Sequence, residues 1–337
     1  MRKISAEADM VSMDQAAVQK ISLYGITSNY WNAVQQQQEC RVADTELTSF
    51  EFEFTDDDFN RICELMQFHV GIRLGHDKRA MVYSRLGQQL HKLGIASFND
   101  YLDHIESGTC GELATFINAL TTNPTNFNRE MHHFAILREF LQNGGVPEDS
   151  TIWLVGCSTG EEAYSIAMVL ASAPELRSRF GQIVASDIDP TVLEQAERGV
   201  YPAERVTNIP AADLKRFFLS GKGENAGFLK IRPQLRRLIT FRQINLHDSS
   251  WPVRAPVNVI FCRNVMNYFN AQTRRRTLER FGALLAPGGL LFLGHSENIS
   301  GKDGVFQQLG QTVYMRTDRS IANHDDAWVQ NGRANDD

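Results

Sequence analysis

Cysteine is scarce. The chain has five among 337 residues (Cys40, Cys63, Cys110, Cys157 and Cys262), an odd number with no CxxC spacing. That excludes a disulfide scaffold, argues against a structural zinc site, and suits reduced thiols in a cytoplasmic protein. No stretch approaches the roughly 18 consecutive apolar residues of a membrane-spanning helix. The opening residues, MRKISAEADMVSMDQ, lack the apolar segment of a secretory signal. Positive charge is not in excess: 34 Lys and Arg against 40 Asp and Glu leave a formal charge of −6 and no global pull toward nucleic acid. What is present is an ordinary globular balance, 42% hydrophobic and 22% charged, in a chain long enough for two or three domains with buried cores.

Periodicity divides the chain. Residues 1–50, with the tract Gln35-Gln36-Gln37-Gln38, show weak helical pattern and are predicted to be a flexible extension; residues 318–337, rich in Asn and Asp, are predicted to be a flexible tail. Residues 51–125 read as a small all-α domain. Asp56-Asp57-Asp58 can cap a helix through Phe59, Ile62, Leu65 and Met66. A second helix, Asp77–Leu93, carries Met81, Val82, Leu86, Leu90 and Leu93 on one face. Lys78, Arg85 and Lys92, seven residues apart, lie on another face. Ser97–Ile105 and Gly111–Leu120 complete the set.

Residues 126–317 change rhythm. Apolar strands at Ile152–Val155, Gln182–Ser186, Val257–Cys262 and Gly289–Leu293 alternate with helical stretches, notably Glu161–Ala171 and Ala271–Leu285. This predicts an α/β domain with a mostly parallel, Rossmann-like sheet and helices on both faces. Val305–Thr317 reads as a hairpin. Residues 205–243 interrupt the pattern: Gly221-x-Gly223-x-x-x-Gly227 precedes short strands at Phe228–Ile231 and Leu238–Phe241, which predicts a small inserted β-subdomain.

The turn Gly156-Cys157-Ser158-Thr159-Gly160 follows a strand and opens a helix, a place where backbone N–H groups meet a ligand. It is neither GxGxxG, since Ser158 replaces the middle glycine, nor a P-loop. Glu161 and Glu162 at the helix start suit a cationic or hydroxyl-bearing ligand better than a pyrophosphate. Asp187 ends the next strand, where a carboxylate accepts bonds from a ribose diol, while Asp189-Pro190 fits a helix cap. Cys157 is explained by loop packing, His132 and His133 by a helix rather than a metal, and Gly294-His295-Ser296-Glu297-Asn298 is not a serine-hydrolase elbow.

Several segments in order resemble the chemotaxis receptor methyltransferases, the CheR family: His76–Leu90, Leu120–Phe134, Ser158–Ala167, Ala185–Ala196, Phe261–Phe269 and Ala286–Ser300. The resemblance implies a class I S-adenosylmethionine-dependent methyltransferase fold behind an N-terminal helical domain, and methyl transfer from S-adenosylmethionine to receptor glutamates, leaving S-adenosylhomocysteine, with no metal. It implies cofactor contacts at Asn123, Thr125, Arg129, Glu162, Asp187, Asn245, Leu246, Arg263 and Asn264, and catalytic roles for Arg129 and Tyr268. The chain departs from the family at Asn128, where Phe is frequent, and at Ala163, where Pro is frequent. The implied partners are cytoplasmic domains of chemotaxis receptors, met by a monomer. The glycine-bearing loop 221–227 places the chain with members that tether to a receptor's C-terminal pentapeptide. The alternatives are a nicotinamide-dependent oxidoreductase and a catalytically silent receptor-binding scaffold.

Overall fold

A computed structural model describes residues 52–108, 111–121, 125–142, 149–173, 180–299 and 304–317. The two predicted flexible termini, Asn123, Cys40 and Cys110 lie outside the described residues.

Four helices come first: α1 (Asp56–Val70), α2 (Arg79–Leu93), α3 (Phe98–Glu106) and α4 (Glu112–Thr121). The cap of α1 is Thr55, one residue before the aspartate run. The Asp58 amide donates to Thr55 Oγ1 (3.1 Å) while the Thr55 amide donates to Asp58 Oδ2 (2.9 Å), a reciprocal capping box. Phe59, Ile62, Met66 and Val70 follow at helical spacing and are all buried. Helix α2 starts two residues later than the pattern predicts, because His76–Lys78 form a turn of 3₁₀ helix. Lys78 therefore stands ahead of the helix that carries Arg85 and Lys92.

The α/β part runs α5 (Met131–Gln142), β1 (Ser150–Val155), α6 (Glu161–Ala171), β2 (Phe180–Asp187), α7 (Pro190–Arg198), β3 (Val200–Pro202), α8 (Ala211–Phe217), β4 (Phe218–Ser220), β5 (Phe228–Ile231), α9 (Pro233–Arg236), β6 (Ile239–Gln243), β7 (Val257–Cys262), α10 (Ala271–Leu284), β8 (Leu285–Leu293), β9 (Phe306–Gly310) and β10 (Val313–Arg316). The large sheet has the order β6-β2-β1-β7-β8-β10-β9. Its first five strands are parallel, and the β9–β10 hairpin joins antiparallel to β8. The insertion is a separate antiparallel sheet of order β3-β5-β4. It starts at Val200, and its strands end with β5. The stretch read as its second strand, 238–241, is instead the start of β6, an edge strand of the large sheet paired in parallel with β2.

Strand alternation sorts the core into two layers. Ile152 and Leu154 of β1 face a cluster with Leu137, Ile166, Phe217 and Ile231; Trp153 and Val155 face one with Met66, Leu86, Phe116 and Phe281. With both faces covered, β1 and β7 are buried at every position, so they read as largely apolar runs; the polar Asn258 within β7 is met by a bond from the Thr151 amide of β1 (3.1 Å). The chain leaves β1 toward β2 and β6, then returns to β1's other side as β7. The strand order reverses there, and the crevice beyond the strands' carboxyl ends is the place for a ligand.

Candidate active site

At that crevice β1 ends in Val155 and the chain turns into α6. Gly156 (φ 69°), Ser158 (φ 49°) and Gly160 (φ 94°) all adopt the left-handed conformation. A Cβ on Gly160 would come within 2.8 Å of the Ala196 Cβ, so helix α7 requires glycine there. Ser158 takes up the conformation that glycine adopts without strain, so the missing middle glycine changes the residue and not the bend. Asn264 in the cleft lining, and Asn128 and Glu130 on either side of Arg129, share positive φ without being glycine.

One cleft, of about 130 Å³, is lined by Thr125, Arg129, Glu162, Asp187, Asn245, Leu246, Arg263, Asn264 and Tyr268. These are all the site residues the sequence singles out, Asn123 excepted. They come from five separate stretches of chain. Val70 and Ile72 also line it, so the helical part supplies one wall. Residues 71–74 are held there by an antiparallel bridge between Ile72 and Phe269 and by the Arg73 amide donating to the Tyr268 carbonyl (2.8 Å).

The acids of the cleft are desolvated. Burial pushes the Asp187 carboxyl above its usual range, against the opposing pull of bonds from the Asp189 and Ser158 amides at 3.1 and 2.8 Å. Asp189 is the N-cap of α7 and accepts from the Thr191 amide at 2.7 Å, the division of labour read from the sequence. Burial also raises Glu162, whose Oε1 has no hydrogen-bond partner among the described residues although Arg263 Nε lies 3.4 Å away. An acceptor buried in this way is costly unless something bonds to it.

Two predicted contacts carry structural duties as well. Arg263 is buried; it donates to the Arg129 carbonyl (2.7 Å) and faces Glu130 at 3.7 Å as well as Glu162. Burial alone would raise the Glu130 carboxyl, but Arg263 and the bonds from His295 hold it below its usual range. Asn245 spends its amide on the His69 carbonyl (3.0 Å) and the His247 amide (2.9 Å). The Arg129 guanidinium, by contrast, makes no hydrogen bond among the described residues. Cys157 and Cys262 are buried with thiol pKa values pushed up by burial, which removes them as nucleophiles. His133 lies inside the fold against Phe292, kept neutral at a pKa of about 4 by burial and by Arg263.

Sequence reasoning gave no role to Arg205 or Glu297, and it read Glu161 with Glu162 as a ligand-facing acid, whereas Glu161 does not line the cleft. Glu161 is fully buried and takes bonds from Thr159 (2.6 Å) and from Arg205 (2.8 Å), which lies in the segment between β3 and α8. Glu297, also buried, accepts from three backbone amides. A carboxylate in an otherwise apolar and glycine-rich stretch was the available signal in both cases.

Residues 123–315 match the CheR methyltransferase SAM-binding domain, and residues 57–121 match the CheR methyltransferase all-alpha domain. This chain belongs to the CheR methyltransferase family. Among its relatives, chemotaxis protein methyltransferase 2 of Pseudomonas aeruginosa is 46% identical over 268 residues, covering 78% of this chain and 94% of that protein. The chemotaxis protein methyltransferase of Klebsiella aerogenes is 46% identical over 264 residues (78% and 90%), and that of Escherichia coli 42% over 261 (77% and 91%). The protein is thus a CheR-type, S-adenosylmethionine-dependent methyltransferase acting on chemotaxis receptors, with the class I fold. Its cleft fits that cofactor on its own chemistry. A carboxylate with an orphaned oxygen and a second one at a strand end suit a cationic group and a diol. No helix among the described residues is long and apolar enough to cross a membrane, and none of their His, Cys, Asp and Glu side chains group as a metal site.

Proposed function

We propose that the cleft binds S-adenosylmethionine through Thr125, Glu162, Asp187, Asn245, Leu246, Arg263 and Asn264, and that Arg129 and Tyr268 hold a receptor glutamate for methylation. The observation that carries this is the convergence of these residues on one cleft at the sheet's switch point. Asp187 accepts the ribose hydroxyls, and Glu162 lies toward the positive end of the cofactor. Asn123 is included by resemblance. S-adenosylmethionine, when bound, supplies a methyl group already activated on a sulfonium. The glutamate, with an unperturbed pKa of about 4.3, arrives ionised, so no side chain has to remove a proton. A carboxylate oxygen bonds to the methyl carbon as the carbon–sulfur bond breaks, and the electron pair stays on sulfur. The chain's task is alignment and exclusion of water, which supplies on the order of 7–11 kcal/mol. Arg129, whose guanidinium makes no hydrogen bond among the described residues, orients the carboxylate; the Tyr268 hydroxyl steadies it beside the methyl.

We further propose a cytoplasmic monomer with a helical domain over 51–125 and a methyltransferase domain over 126–317, whose inserted β-subdomain has its strands within 200–231. The subdomain leaves strands β3 and β4 as edges, and loop 221–227 joins β4 to β5, with Gly223 and Gly227 at positive φ. An extended receptor C-terminal pentapeptide adds to such an edge by main-chain bonds, near exposed Arg236 and Arg237.

Transfer of tritiated methyl to receptor cytoplasmic fragments tests the reading. Tyr268→Phe is expected to lose most of kcat with S-adenosylhomocysteine affinity nearly intact, and Arg129→Ala to lose kcat and some affinity. Wild-type turnover by both variants would make these residues structural only. Calorimetry with receptor pentapeptides tests the tether, and no heat alongside continued methylation would remove it.

A further inference from the structure

Glu297 sits in the loop after β8, buried, and has no cation within ion-pair distance among the described residues. Among the described residues its carboxylate is held by backbone amides. Oε2 accepts from the Asn264 amide (2.8 Å) and the Gly294 amide (2.8 Å); Oε1 accepts from the Asn267 amide (3.2 Å). Asn264 and Asn267 belong to the loop after β7, so one side chain joins the carboxyl ends of two neighbouring strands. Ser296 beside it accepts a bond from the Asn267 side chain (3.0 Å). Gly294 lets the two loops approach: a Cβ there would lie 2.9 Å from the Asn264 amide and 3.0 Å from Glu297 Oε2. Asn264 is left-handed at φ 60°, a conformation asparagine tolerates better than most residues with a side chain. The bond from its amide to a buried anion fixes it there.

This matters because of what the β7 loop carries. Asn264 lines the cofactor cleft, and the 3₁₀ turn Met266–Tyr268 sets Tyr268 at its edge. We propose that Glu297 is a positioning residue for methyl transfer, holding Asn264 against the cofactor through Oε2 and aiming Tyr268 at the receptor carboxylate through Oε1. It touches neither reactant. The inference rests on the assignment of Tyr268 to the substrate carboxylate.

The two oxygens allow the two duties to be separated. In Glu297→Gln the amide oxygen can keep the Asn264 and Gly294 bonds, while its NH₂ faces the Asn267 amide, donor against donor. Glu297→Ala removes all three bonds. Loss of a hydrogen bond to a charged group corresponds to about ten-fold or more. Glu297→Gln is therefore expected to lower kcat about ten-fold with the S-adenosylhomocysteine Kd within about two-fold. Glu297→Ala is expected to weaken that Kd about ten-fold as well. Combined with Tyr268→Phe, Glu297→Gln should add little further loss, because both changes act on one group. Additive losses in the double variant, or loss of kcat and Kd in parallel with melting temperature in both single variants, would overturn the positioning role. Wild-type kcat in Tyr268→Phe alone would instead sink the Tyr268 assignment. Hydrogen exchange of the Asn267 amide then decides for Glu297: faster exchange in Glu297→Gln supports the clamp, and unchanged exchange rejects it.

Discussion

Single residues in this fold are legible where their chemistry conflicts with their surroundings. Asp187 is a carboxylate that burial disfavours and that two backbone amides only partly offset. Removing it should leave the sheet intact, since its strand neighbours do the packing. Asp187→Ala is expected to weaken S-adenosylhomocysteine binding by about 1.5–3 kcal/mol, ten-fold or more, with the unfolding midpoint little changed. Calorimetry checks this, and unchanged affinity would detach Asp187 from the cofactor. His133 makes the matching case for pH. Its folded pKa of about 4 lies below the unfolded value of 6.5, so the folded state refuses a proton that the unfolded chain accepts. The stability it lends is whole above pH 6.5 and is lost as pH falls toward 4, by up to about 3 kcal/mol at one proton across that window. Urea unfolding between pH 7 and 4.5 should be flatter in His133→Gln than in wild type; parallel curves would contradict the buried neutral state.

At the scale of the element, the pattern of apolar residues located most helices and strands, and its failures have specific causes. The charged stripe of α2 is one. Lys78, Arg85 and Lys92 share a spacing, but only Lys78 and Lys92 are exposed. Arg85 is half-buried and donates to the carbonyls of Ala119 and Leu120 at 3.2 Å, capping the end of α4. A guanidinium there is favoured by the negative end of the helix. Arg85→Ala is accordingly expected to cost about 1–2 kcal/mol of stability. Lys78→Glu with Lys92→Glu should stay within about 0.5 kcal/mol of wild type. If the two exposed lysines steer an acidic receptor, that double variant raises the receptor KM at low salt, and added salt narrows the difference. An unchanged KM leaves them as a solvated face. Spacing could not divide the stripe, because a seven-residue repeat says which residues lie together and not what packs above them. The same limit applies to 238–241: a short apolar strand has no mark showing which of two sheets it joins.

Across the whole molecule, the β-subdomain is tied to the cofactor turn by polar bonds. Arg205 reaches Glu161 at the start of α6, and the Tyr201 hydroxyl donates to the Thr159 carbonyl (2.7 Å). Arg205→Ala strands a fully buried carboxylate that burial already pushes up. It is expected to cost about 1.5–3 kcal/mol and to speed hydrogen exchange over 200–231. Adding Glu161→Gln should recover part of the loss, since no buried charge then lacks its partner. No recovery would mean that the pair is incidental to docking. The sequence by itself determined the class of fold: strands buried on both faces must be mainly apolar, helices must show a 3.6-residue stripe, and a turn between β1 and α6 must contain small residues. It also marked Asp187, Glu162, Arg129 and Tyr268, through segments that resemble a family. Only the tertiary structure decided that these residues meet at one cleft, that Arg263 lies buried between Glu130 and Glu162, and that Glu297 joins two loops. Those facts depend on distances between residues far apart in the chain, such as Thr125 and Tyr268, which line the same cleft. Local pattern reports which way a side chain faces within its own element; the partner it meets is chosen by how the elements stack.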